Sequence, residues 1–149
     1  MKYLTLLTSL LLGATASPIK QRQTTQANVS GFSASTNTNS DGAVIAYDIE
    51  IPGLVSTHCG YSDETSGSTL PAVPQTPCDD PSVRWQFRQD PSLPGSEGRY
   101  RIVIIYTPTS GAGLAGFHEW DPSDFPQQLI GGSDETVYQG ASDFVVDMS

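Results

Sequence analysis

Basic residues are scarce in this sequence. Seven lysines and arginines stand against 16 aspartates and glutamates in 149 residues, and no lysine follows Lys20. That excess of negative charge repels nucleic acid and anionic membrane surfaces, so neither is an expected partner. Long apolar runs are missing as well. The one apolar stretch of any length, Leu4 to Leu12, is interrupted by Thr5, Thr8 and Ser9, and it is too short to span a bilayer, which takes about 20 residues. No stretch of a dozen residues keeps a period near 3.6, which leaves no amphipathic helix to build on. The G-x-S-x-G signature of an activated serine is absent, and only two cysteines are available for nucleophilic chemistry.

What stands at the N-terminus explains its short apolar run. Lys2, the Leu4–Leu12 stretch and the small-x-small step Ala14-Thr15-Ala16 make a secretory signal peptide over residues 1–16. Residues 17–22, ending at Arg22, read as a short pro-segment, so a single secreted, extracellular domain is expected over residues 23–149. Processing removes Lys2, Lys20 and Arg22, leaving four arginines against 16 acids, a formal net charge of −12. Outside the cell, Cys59 and Cys78 are expected to form one disulfide, worth roughly 3 kcal/mol on the chain-entropy account. The other options are a free thiol or an intermolecular bridge. Asn28-Val29-Ser30 is a glycosylation sequon, either used at Asn28 or buried in a strand and silent.

Strand signals recur along the rest of the chain. Ala43 to Ile51 places Ala43, Ile45, Tyr47, Ile49 and Ile51 on one face. Ser82 to Arg88 puts Val83, Trp85 and Phe87 inward. Arg99 to Thr107 puts Tyr100, Ile102, Ile104 and Tyr106 one way, with Arg99, Arg101, Val103 and Ile105 the other. Val29 to Thr36 alternates weakly, and Asp41-Gly42 is a hairpin signal. Leu54–Tyr61, Leu114–Trp120, Gln127–Ile130, Glu135–Gln139 and Asp143–Met148 are the remaining candidates. Ser62 to Pro77 reads as an ordered surface loop inside the disulfide. The expected fold is all-β: a single compact antiparallel β-barrel or sandwich of about seven to eight short strands.

Three patterns could carry chemistry. Gly111 to Gly116 spells a dinucleotide fingerprint, but Pro122 breaks the segment that would have to be its helix, so it reads as a glycine-rich turn. His118, Glu119, Asp121 and Asp124 lie close together, yet His118 and Glu119 point to opposite faces of a strand, and no metal site is expected. No carboxylate pair sits in an aromatic context that marks a sugar subsite. The chain is therefore expected to be no enzyme and to use no cofactor. The arginines stand out more. Arg84, Arg88, Arg99 and Arg101 all occupy outward positions of two strands, and pairing of those strands would gather them on one face. That face would meet an acidic partner or anionic ligand, unless neighbouring acids neutralise it internally.

Several of these features together resemble the Alternaria major-allergen family of small fungal secreted β-barrels, which also includes cell-death elicitors of plant pathogens. The shared features are a leader with a short segment ending at Arg22-Gln23, the Val29-x-x-Phe32 step, the Cys59/Cys78 pair, the aromatic strand Val83-Arg84-Trp85-Gln86-Phe87 and the segment Val137-Tyr138-Gln139-Gly140-Ala141-Ser142-Asp143. The family often has cysteine where Tyr138 stands, paired with one near Phe125 or Pro126. Here an aromatic contact is expected in place of that second disulfide. No cysteine precedes Cys59, so a monomer or non-covalent dimer is expected. The resemblance implies a non-catalytic effector or elicitor that binds a host extracellular protein of plant defence. Its alternative is a carrier of small flavonoids or phenolics, with Tyr47, Trp85, Tyr100, Tyr106 and Trp120 either lining the ligand site or filling the core.

Overall fold

The computed structural model describes residues 24–37, 42–65, 67–90 and 98–149; the signal peptide and pro-segment expected over residues 1–22, and Asp41 of the hairpin signal, lie outside them. The described residues form ten strands: β1 (Thr25–Asn37), β2 (Gly42–Ile51), β3 (Val55–Asp63), β4 (Val73–Pro77), β5 (Val83–Asp90), β6 (Arg99–Tyr106), β7 (Leu114–Trp120), β8 (Gln127–Ile130), β9 (Ser133–Thr136) and β10 (Phe144–Met148). One 3-10 turn, Pro122–Asp124, is the sole helical element among them. The chain is all-β. Two four-stranded antiparallel sheets, ordered β10-β1-β2-β3 and β4-β5-β6-β7, pack together, with β8-β9 as a separate hairpin.

Alternation builds the interior. Ala43, Ile45, Tyr47, Ile49 and Ile51 of β2 are buried, as are Val83, Trp85 and Phe87 of β5 and Tyr100, Ile102 and Ile104 of β6. With Trp120, Val146 and Met148 they make one core between the inner faces of the two sheets.

β1 departs from simple alternation. Ala27 and Val29 are buried at odd positions, then Phe32, Ala34 and Thr36 at even ones. The register explains the change: Ser30 pairs with Asp48 and Ser33 with Ala46, so β1 takes three residues where β2 takes two. Gly31 sits in this bulge at φ +63°, a conformation glycine adopts without steric cost. Its N–H donates to Asp143 Oδ1 at 2.9 Å, and the Phe32 N–H donates to the Ser142 carbonyl at 2.8 Å. The bulge is why Val29 to Thr36 alternates weakly and why Val29 and Phe32 stand three apart.

The segment Ser62–Pro77 needs correction. Its last five residues are strand β4, paired with β5 through Val73↔Phe87 and Thr76↔Trp85. Pro74 and Pro77 hide this strand in sequence, since proline donates no ladder bond. They are tolerated because β4 is an edge strand with one side unpaired. The strand count accordingly exceeds the expected number.

Both lateral edges of the sandwich are tied. On one side the Cys59–Cys78 disulfide joins β3 to the end of β4, and the Asp79 N–H donates to the His58 carbonyl at 2.9 Å. On the other, Ala115 of β7 and Ser149 after β10 exchange backbone hydrogen bonds of 3.1 and 3.0 Å. Gly116 lets these strands approach: a Cβ there would lie 2.8 Å from Val146 Cγ1 and closer still to the Asp147 carbonyl. The glycine-rich segment thus serves a turn, with Gly111 at φ +95°, and then this seam.

The β8-β9 hairpin turns at Gly131 and Gly132, both at positive φ (57° and 85°), the geometry of a tight two-residue hairpin. Beyond it, the Tyr138 N–H donates to the Ala34 carbonyl at 2.8 Å. Phe125 and Tyr138, where the resemblance implies an aromatic contact, pack with ring centroids 5.0 Å apart.

Candidate interaction face

The outer face of β5, β6 and β7 collects all four arginines of the described residues. Pairing of β5 with β6 and of β6 with β7 arranges this face in rows across the sheet. Arg84, Ile105 and Ala115 form one row; Gln86, Val103 and Phe117 the next; Arg88, Arg101 and Glu119 the third. Arg99 follows at the end of β6, beside Asp121.

Charges within this face are unequal. Arg88 and Arg101 are direct cross-strand neighbours, a like-charge pairing that is unfavourable by itself. Glu119 resolves it: Arg101 Nε donates to Glu119 Oε1 at 2.8 Å, and Arg101 Nη2 engages the same oxygen. Arg99 donates from Nη2 to Asp121 Oδ1 at 2.9 Å and lies 3.8 Å from Glu119 Oε2 through Nη1. Arg99 and Arg101 thus have acidic partners on or next to β7, as the neutralised alternative required. Arg84 is exposed and has no ion pair among the described residues. The face is graded in exposure, with Arg84 and Arg88 exposed at one side and Arg99 and Arg101 half-buried beside their acidic partners at the other.

An apolar strip lies between them. Val103 and Ile105 are half-buried, and Phe117 is 59% exposed. Arg101 Cζ sits 5.0 Å from the Phe117 ring centroid, within cation–π range. Phe117 is the residue that sequence reading missed. Its signal was the alternation of β7, in which Gly116, His118 and Trp120 turn inward and leave Phe117 outside. The opposite sheet presents a different outer face. Asp48, Glu50 and Asp147 are exposed there, the Asp48 carboxylate lies 2.8 Å from His58 Nδ1, and no arginine or lysine is present on β1, β2, β3 or β10.

A scan of the chain against protein-family models finds no match, and a search of curated proteins finds none either.

The aromatic residues proposed for a ligand lie inside. Tyr47, Trp85, Tyr100 and Trp120 are buried, and Tyr106 is half-buried. Tyr47 meets Trp85 edge-on at 5.3 Å, and Tyr100 stacks on Phe87 at 5.7 Å. Trp120 stacks on Phe32 at 4.8 Å. The structure thus brings these residues together as packing between the sheets.

His118 and Glu119 do point to opposite faces, and no group of three or more histidine, cysteine, aspartate or glutamate side chains among the described residues could hold a metal ion. His118 stacks on Phe144 at 4.4 Å and meets Trp120 edge-on at 4.8 Å. Burial lowers its pKa below the ordinary 6.5, against the opposing pull of Asp124 and Glu119. The unfolded chain therefore binds this proton more readily than the fold does. His118's contribution to stability is complete above about pH 6.5 and is lost as pH falls toward the folded pKa. The melting temperature is expected to drop on acidification from about pH 7 to about pH 5, with a shallower slope in His118→Gln. Equal slopes in a melting series across that range would remove His118 as the cause.

Proposed function

We propose that this chain is a secreted, non-catalytic effector or elicitor that binds a host extracellular protein through the outer face of β5, β6 and β7. The observation that carries the reading is Phe117, an exposed aromatic ring on a β-branched strip flanked by arginines, in a chain that is otherwise strongly acidic. Aromatic and arginine side chains are the residue types that dominate binding energy at interfaces, and the charge of this face selects an acidic partner. The disulfide supports an oxidising, extracellular setting, and no helix among the described residues is long and apolar enough to cross a membrane. The sequence resemblance to the allergen and elicitor family supports a partner among plant defence proteins.

The test is capture from plant apoplastic fluid on the disulfide-bonded protein, beside the variant Arg84→Glu/Arg88→Glu/Phe117→Ser. These positions avoid the ion pairs of Glu119 with Arg99 and Arg101. A specific protein held by the wild type, and bound roughly tenfold or more weakly by the variant, is the expected result. Equal retention by both discards this face.

One observation favours the carrier as a second reading. The Tyr47 hydroxyl and Trp85 Nε1 are buried and have no hydrogen-bond partner among the described residues, and burial keeps the Tyr47 phenol protonated. A small phenolic that enters between the sheets would satisfy both. Saturable quenching of tryptophan fluorescence by a flavonoid is the expected signature, and a flat titration eliminates this use.

A further inference from the structure

Asn28 lies on β1, a central strand of the first sheet, between Val145 of β10 and Glu50 of β2. Its neighbours Ala27 and Val29 are buried, while Asn28 and Ser30 are exposed. The asparagine and the hydroxyl residue of the sequon therefore share the outward face, as positions two apart on a strand must. The Asn28 side-chain amide makes no hydrogen bond within the described residues, so a substituent on it would break nothing in the fold. Beside it runs a shallow groove of about 340 Å³, lined by Asn28, Val29, Ser30, Asp143, Phe144 and Val145. Val145, directly across from Asn28, is 48% exposed.

The topology also keeps this site open during synthesis. β1 acquires its neighbour β10 only when the last residues of the chain have been made. At about 5–20 residues per second, the chain from Asn28 to Val145 takes roughly 6–24 s to emerge. Through that interval one side of β1 has no strand against it, and the Asn28 amide remains accessible.

We propose that Asn28 is a used N-glycosylation site, with the first N-acetylglucosamine seated in the groove against Val145. The Asn28 amide nitrogen bonds to the anomeric carbon of that sugar and gives up one proton. The bond from the sugar to its lipid diphosphate carrier breaks, and the diphosphate leaves with the electron pair. The inference rests on the export signal of residues 1–16 and is independent of the partner-binding face. It has a consequence for that face: the glycan covers the acidic sheet and leaves the arginine-bearing sheet bare.

The experiment is expression of the full chain from Met1 in a yeast secretory host, with intact masses measured before and after digestion by an amidase that releases N-linked glycans. Wild type is expected to carry a glycan mass that digestion removes, leaving aspartate at position 28. Ser30→Thr keeps the sequon and should stay modified. Asn28→Gln and Ser30→Ala should both lack the added mass. Ser30→Ala alters a single exposed hydroxyl, so it reports on the sequon even where the glutamine variant folds poorly. Wild type with an unmodified Asn28, whether in the medium or retained in the cell, overturns the proposal. So does a glycan that persists in Ser30→Ala.

Discussion

Truncation of Phe32 to alanine is expected to lower the melting temperature by roughly 10–20 °C. Phe32 follows the bulge of β1 and is buried. Its ring stands 6.0 Å from Tyr47 and 5.8 Å from Phe144 of its own sheet, and 6.5 Å from Phe87 and 4.8 Å from Trp120 of the other. Tyr138 of the C-terminal segment meets it edge-on at 4.9 Å. One side chain thus fills the place where both sheets and that segment converge. These neighbours are anchored on separate strands and cannot collapse into the space together, so a cavity remains. Loss of a buried phenylalanine costs about 3–5 kcal/mol in such a setting. Phe117→Ala is the control, because its ring is on the surface, where changes amount to about 0.5 kcal/mol or less. Thermal unfolding followed by circular dichroism checks both. Similar melting temperatures for the two variants would mean that Phe32 is not the joint described here.

Cys59→Ala/Cys78→Ala is expected to lower the melting temperature by about 10 °C, and reduction of the wild type should reproduce the shift. The bridge closes a loop over a sequence separation of 19, for which the loss of unfolded-state entropy corresponds to roughly 3 kcal/mol. At about 2–8 °C per kcal/mol for domains of this size range, that is a shift of order 10 °C. Its position adds to the effect. The disulfide ties the β3 edge of one sheet to the β4 edge of the other, and both half-cystines belong to the buried core. Without it, β4 keeps its bulged pairing with β5 and the burial of Val73. Melting in the presence and absence of reductant is the measurement, and a wild type indifferent to reductant would show that the bridge does not clamp this edge.

The two faces of the sandwich divide the functional possibilities. Asp48, Glu50, Asp147 and the Asn28 sequon lie on one sheet, and the arginines with Phe117 on the other. Partner binding at the second face and a glycan on the first are compatible, and release of the glycan should leave partner affinity unchanged.

Much of this arrangement follows from a period of two. Alternation within Ala43–Ile51, Val83–Arg88 and Arg99–Tyr106 determined which residues of β2, β5 and β6 turn inward, and it put Arg84, Arg88, Arg99 and Arg101 on outward positions. The Cys59–Cys78 bond followed from having only two cysteines in a chain with an expected export signal. Alternation is silent about what lies opposite a face. Tertiary structure alone decided that Glu119 and Asp121 neutralise Arg101 and Arg99, because that depends on the register between β6 and β7. It alone made Tyr47, Trp85, Tyr100 and Trp120 core, because a second sheet had to cover them. It shifted β1 by one residue at Gly31, where Asp143 and Ser142, more than a hundred positions away, supply the hydrogen-bond partners. It turned the proline-marked Val73–Pro77 into a strand, because an edge leaves one side of the backbone unpaired. Local sequence chose the faces, and non-local pairing chose their neighbours, since a strand acquires its surroundings only when distant chain packs against it.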